Sequence, residues 1–180
     1  MKNLILFISL LLFISCSDEN DGTAESLPTI TTSGNNTFGC KIENEIFLPR
    51  RKVSYSINYD GNVLKAIYEI GISNYKIRIS AENQFTNKNI EINYFSTTPF
   101  IEGITYQILD NSSGNFHAQY YSFFNFNYQT TNKALGEIRI LKFDYSNKII
   151  SATFWFDATN SQGEIIKVRE GRFDIKFTEQ

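Results

Sequence analysis

The sequence predicts an all-β fold, an antiparallel β-sandwich or partly closed β-barrel of about ten strands, preceded by a cleaved signal helix and a flexible tail. Three observations carry that expectation. Sixteen Phe and ten Tyr stand against one Met, one Trp and three Pro, a composition that suits half-buried pleated surfaces better than helices. From Thr37 onward apolar and polar residues alternate with a period of two, the repeat of a strand with one buried face. Turn residues interrupt the alternation at short intervals.

Taken in order, the chain divides into 1–15, a leader; 16–36, a polar spacer; and 37–180, a single β-rich domain large enough to close a core without disulfides or metals. Lys2 supplies a positive start, and Leu4 to Ile14 is apolar apart from Ser9. That is the secretory pattern, too short for an ordinary membrane-spanning helix. Leu12-Phe13-Ile14-Ser15-Cys16 resembles the lipobox of bacterial lipoproteins, in which the cysteine thiol receives a diacylglycerol before cleavage. Sulfur suits that step because the thiolate is a strong nucleophile. Phe13 stands where Leu is usual, and the competing reading is an ordinary secretory leader with a chance cysteine. Cys16 is therefore the expected lipid-attachment residue, and two or three acyl chains would hold the protein stably at a membrane.

The spacer offers only Leu27 and Ile30 as isolated apolar positions, too few to offset the entropy of ordering it. Asp18, Glu19 and Asp21, directly after the cysteine, resemble the export signal that sends Bacteroidetes lipoproteins to the cell surface. A merely solvated acidic linker is the alternative.

In the body, Phe38 to Ile42 and Ile46 to Leu48 read as a hairpin turning at Glu43-Asn44 and stopped by Pro49. Arg50, Arg51 and Lys52 read as a solvated turn. Val53 to Tyr59 alternates up to Asp60-Gly61, a strong hairpin signal. Leu64 to Ile70 forms the return strand, with a helix as the alternative. Tyr75 to Ala81 and Ile90 to Tyr94 alternate cleanly around a loop. Tyr106 to Leu109 is a strand leading to the turn at Asp110 to Gly114. Phe116 to Tyr128 then reads as one aromatic strand, with Phe116, Ala118, Tyr120, Phe124, Phe126 and Tyr128 on one face and His117, Gln119, Tyr121 and Phe123 on the other.

Gly136 to Ile140 alternates, and a phase shift at Leu141 marks a β-bulge. Ile150, Ala152, Phe154, Phe156 and Ala158 form the inward face of the next strand, with Trp155 and Asp157 outward. Ile166 and Val168 point inward, as do Phe173, Ile175 and Phe177 after a second bulge at Glu170-Gly171, where the sequence assigns positive φ to the glycine. Pairing Ala158 with Ile166 and Phe156 with Val168 sets Asp157 opposite Lys167 and Trp155 opposite Arg169.

Thr37-Phe38-Gly39-Cys40, Phe47-Leu48-Pro49, Gly136 to Ile140, Ile150 to Phe154 and Glu170-Gly171-Arg172-Phe173-Asp174-Ile175-Lys176-Phe177 resemble an uncharacterised Bacteroidetes lipoprotein family, a domain of unknown function. Glu45 stands where the resemblance leads one to expect Gly. The resemblance implies lipid anchoring and a β-rich domain and carries over no catalytic residues.

Function classes narrow by chemistry. The net charge is −2 and, apart from the small basic cluster Arg50-Arg51-Lys52, Lys and Arg are not gathered, so a nucleic-acid partner is not expected. One His and one unmodified Cys, Cys40, offer no zinc-type cluster, and no Asp-x-Asp-x-Asp-Gly calcium loop occurs. No cofactor is expected. His117 lacks an evident third group for nucleophilic catalysis. Asp144, Asp157, Glu137 and Glu164 are the conceivable paired carboxylates of a glycosidase, but they read as solvated charges or cross-strand partners. Trp155, Tyr121 and Phe123 form the candidate ligand surface, since exposed aromatics on a sheet stack sugars or dock proteins; the alternative is Trp155 under Arg169 in a cation–π contact. The expectation is a lipoprotein at the outer membrane, facing the cell surface, that binds a glycan or protein partner without catalysis. An envelope hydrolase and a structural envelope component are the alternatives.

Overall fold

The structure is a computed structural model that describes residues 25–52, 62–99, 101–112, 114–122 and 127–180. Among these the chain is all-β, with no helix. Its strands are β1 (Thr37–Ile42), β2 (Glu45–Phe47), β3 (Leu64–Ile70), β4 (Tyr75–Asn83), β5 (Lys88–Ser96), β6 (Thr105–Leu109), β7 (Phe116–Tyr121), β8 (Asn127–Gln129), β9 (Gly136–Asp144), β10 (Ile149–Thr159), β11 (Ile165–Lys176) and β12 (Thr178–Glu179). They form a 12-stranded sheet in the order β12-β3-β4-β5-β7-β6-β9-β10-β11-β1-β2, with β8 pairing both β7 and β10. β12 follows β11 after Phe177 alone and pairs with β3, so the chain passes directly from β11 to the opposite end of the pairing path, and the inward faces share one core.

The sheet is mixed rather than wholly antiparallel. β6 and β7 pair in parallel through Ile108↔Phe116 and Leu109↔His117, and β12 pairs in parallel with β3. Alternation of apolar residues defines a face and not a direction, so nothing in the pattern distinguished these two pairs from the rest.

The first hairpin turns at Glu43-Asn44 with Ile42 opposite Glu45. Both turn residues have positive φ, 49° and 72°, so the mirror-type two-residue turn that matches strand twist forms here without glycine. Residues 53–61, with the Asp60-Gly61 hairpin, lie outside the described residues. β3 is a strand, and β4 and β5 pair in unbroken register from Tyr75↔Ser96 to Asn83↔Lys88. Phe116 to Tyr128 is not one strand: Tyr120 pairs with Tyr128 and Tyr121 with Asn127, so the chain folds back on itself. Phe124 and Phe126 lie outside the described residues.

Both bulges fall where the phase of the sequence changes. Ile140 pairs with Ala152 and Lys142 with Ser151, leaving Leu141 as the extra residue. On β11, Phe154 faces Gly171 and Phe156 faces Val168, so Arg169 and Glu170 together oppose Trp155. The positive φ at this second bulge belongs to Glu170, at 52°, and not to Gly171. Gly171 is required for a different reason: a Cβ there would lie 2.4 Å from the Phe154 ring.

The inward faces meet in a continuous aromatic and aliphatic core. Phe38 packs on Phe154 and Phe173 with ring centroids 5.5 and 6.3 Å away. Tyr68, Phe143 and Phe177 form a second cluster, and Tyr94, Tyr106 and Phe116 a third. The body is tied to part of the polar stretch before it. Asp174, buried on β11, accepts hydrogen bonds from Thr31 Oγ1 (2.6 Å) and the backbone nitrogens of Ser33 (2.9 Å), Gly34 (2.7 Å) and Asn35 (3.2 Å). Asn36 Oδ1 accepts from Lys176 N, and Glu25 pairs with Arg50. Residues 31–35, read from the sequence as spacer, are thus held by a buried carboxylate, and Asn36 by the backbone of β11.

Candidate functional site

The outer face of β9, β10 and β11 carries two rows of side chains, because residues paired directly across neighbouring strands share a face. In the first row Glu137 pairs with Trp155, and the bulge sets Arg169 and Glu170 on the other side of the tryptophan. In the second, Thr153 pairs with Arg139 on one side and Arg172 on the other, and Arg139 pairs with Thr105 of β6. Thr105, Glu137, Arg139, Thr153, Trp155 and Arg172 line a groove of about 410 Å³. A bulge locally bends and twists its strand, and this one places two residues beside the indole where regular pairing would place one.

The groove is held by an ordered set of charges. The Arg169 guanidinium carbon lies 5.2 Å from the centre of the Trp155 ring. Its Nη2 pairs with Asp157 Oδ1 at 2.5 Å, and its Nη1 donates to the carbonyls of Phe156 (3.0 Å) and Val168 (2.9 Å). Trp155 Nε1 donates to Glu137 Oε2 at 3.4 Å, and Glu137 Oε1 accepts from Gln107. Glu170 accepts from Lys41 Nζ at 2.6 Å, and this hydrogen bond holds its carboxyl below the usual carboxylate range. Arg172 donates through Nε to the Glu170 carbonyl at 3.1 Å and through Nη1 to the Pro28 carbonyl at 3.5 Å. Arg139 is exposed and makes no ion pair among the described residues.

Of the residues expected to form a ligand surface, Trp155 lies in this groove, half-buried. Tyr121 lies on β7, with β6 and β9 between its strand and β10 in the pairing order. Its hydroxyl donates to Gln119 Oε1 at 2.8 Å, and burial, then Glu91, push the phenol pKa up. Phe123 and Cys16 lie outside the described residues. The contact weighed as the alternative, Trp155 under Arg169, is present.

His117 is half-buried in a second outer groove, of about 340 Å³, with Glu69, Lys76, Arg78, Glu91 and Phe95. Burial lowers its pKa, and among the described residues no hydrogen bond joins it to a Ser or Cys. Burial pushes the Cys40 thiol well up, which makes it a packing residue and not a nucleophile. The four candidate carboxylates are each engaged elsewhere: Asp144 caps its own turn at Asn147, Asp157 holds Arg169, Glu137 holds Trp155, and Glu164 accepts from Tyr128 and Asn160. Among the described residues no group of three His, Cys, Asp or Glu is placed to hold a metal ion.

Sequence reasoning set Trp155 opposite Arg169 and placed the bulge at Glu170-Gly171, one residue beyond Arg169-Glu170 where it lies, but it missed the row Arg139-Thr153-Arg172. The outward alternation of each strand was readable. Which outward residues stand side by side depends on three strand registers at once.

No curated protein and no solved structure matches the chain. Residues 30–174 match the family described as Domain of unknown function (DUF6252), and that span, most of the chain and nearly all of its β domain, makes the protein a member of this family.

Proposed function

We propose that the protein is a lipoprotein of the cell envelope, held at the outer membrane by acyl chains on Cys16 and facing the cell surface, and that its β domain is a non-enzymatic module that binds a glycan in the groove at Trp155. The leader, the cysteine after Ser15 and the acidic residues that follow support the anchoring. One observation carries the binding reading: a half-buried indole, fixed in place by Glu137 and Arg169, stands in an outward groove lined by hydroxyl and charged side chains. Sugar recognition combines an aromatic platform with convergent polar groups, and fixing the ring beforehand reduces the entropy lost on binding.

A glycan array and calorimetry on the leaderless chain test the binding. Retention of at least one oligosaccharide, weakened about ten-fold or more by Trp155→Ala, is the expected result. Retention unchanged by that substitution would move the site elsewhere, and no retention would remove the glycan reading. For the anchor, Cys16→Ala should release the full chain from membranes, and continued membrane association would refute lipid tethering.

A further inference from the structure

We infer that the groove selects an acidic saccharide, with a carboxylate or sulfate group seated over Thr153 between Arg139 and Arg172 and the neighbouring sugar ring against Trp155; this rests on the glycan reading above and specifies its ligand class. Arg139 and Arg172 are both Cα partners of Thr153, one on each side. Strands lie about 4.8 Å apart, so the two arginines flank the threonine hydroxyl with about 10 Å between their backbones. Thr105 extends the row beyond Arg139. An anion placed over the middle of this row meets two guanidiniums and at least one hydroxyl donor, the donor set that suits carboxylate and sulfate oxygens.

The acidic residues nearby do not cancel that charge. Glu170 is bonded at 2.6 Å to Lys41 and reaches Arg172 only at 3.8 Å. Glu137 is engaged by Trp155 and Gln107. Arg172 is steadied by two carbonyls, which orient its guanidinium, and its one carboxylate partner is Glu170 at 3.8 Å, a group that Lys41 holds more closely. Arg139 makes no ion pair among the described residues, so its full donor set faces solvent. Trp155 lies two residues along β10 from Thr153 on the same face, about 7 Å away, and this separates the anion seat from the ring seat by roughly the spacing between a sugar's charged substituent and the next ring.

The test is a set of matched pairs titrated onto the leaderless chain: oligogalacturonate against its methyl ester, and a chondroitin sulfate oligosaccharide against its desulfated, esterified form. At least one acidic member should bind about ten-fold or more tightly than its neutral counterpart, and the preference should weaken as salt is raised. Arg139→Gln should abolish most of the preference and Arg139→Lys restore part of it, whereas Lys133→Gln, an exposed charge outside the groove, should leave it intact. Arg139 is exposed and its side chain makes no hydrogen bond or ion pair among the described residues, so its substitution leaves the fold standing. Equal binding of acidic and neutral members, or an unchanged preference in Arg139→Gln, would overturn this inference while leaving glycan binding in place. Binding of neither member of any pair would overturn this inference, and the absence of any retention on the glycan array would overturn the glycan reading with it.

Discussion

The carboxylate of Asp174 lies 2.7 Å from the backbone nitrogen of Gly34, although 140 positions separate them in the chain. Three further donors from Thr31, Ser33 and Asn35 converge on the same group. Burial alone would raise the Asp174 pKa, and these hydrogen bonds outweigh it, so the group sits below its ordinary value. A carboxyl whose folded pKa is depressed contributes stability above its unfolded pKa and loses it as pH falls through the folded one.

Asp174→Asn should therefore destabilise the domain at neutral pH by about 2 kcal/mol or more, because charge-assisted bonds are the stronger kind and the amide nitrogen would face backbone donors. Urea unfolding measures this. The gap between wild type and variant should narrow as pH falls below about 4, where the unfolded chain takes up the proton while the folded carboxyl still holds its charge, and close once pH passes the lower folded pKa. A gap that stays constant from pH 7 to pH 3 would show that the carboxylate charge is not what holds residues 31–35.

Glycine substitutions separate two kinds of constraint. A Cβ at Gly171 would meet the Phe154 ring at 2.4 Å, and one at Gly136 would meet Phe156 Cβ at 2.5 Å and the Trp155 carbonyl at 2.6 Å. Gly171→Ala and Gly136→Ala should each cost about 1–3 kcal/mol or more through overpacking. Gly163 has φ +82° and nothing within 4 Å of a Cβ, so Gly163→Ala should cost only about 1 kcal/mol, through backbone conformation. Thermal unfolding of the three variants checks the order, and a Gly163 variant less stable than the Gly171 one would contradict it.

Much of this architecture was legible because alternation and turn residues set register together. The pairs Ala158↔Ile166, Asp157↔Lys167 and Phe156↔Val168 follow from the inward set and the turn at Asn160 to Gly163. The same alternation misled at Phe116 to Tyr128. Tyr120 and Tyr128 are cross-strand partners, both inward, and a hairpin keeps paired residues on one face. Period two therefore runs on through a reversal of direction and cannot reveal it. The Asp174 clasp was invisible for another reason: it is made by backbone nitrogens of a polar segment, which leave no periodic trace. Gly171 was read as a φ requirement when its role is space under Phe154, a contact that only the packed structure supplies.

Arg169 is bound to Asp157, to two carbonyls and to the face of Trp155. The cation–π contact is worth about 0.5–2 kcal/mol at a partly exposed site, and the half-exposed ion pair adds less than about 1 kcal/mol after solvent screening. Arg169→Ala should then destabilise by about 1–3 kcal/mol. Arg169→Lys should fall between, since an ammonium keeps the charge but lacks the planar fork that reaches Asp157 and the carbonyls together. Trp155 is the only tryptophan in the chain, so its intrinsic fluorescence reports the same contact directly, and the emission of Arg169→Ala should differ from wild type in the folded state alone. A double-mutant cycle with Trp155→Leu isolates the pair. A coupling near 0.5–2 kcal/mol is expected, and strict additivity would mean that Arg169 orders the bulge through its carbonyls while the indole stands independently.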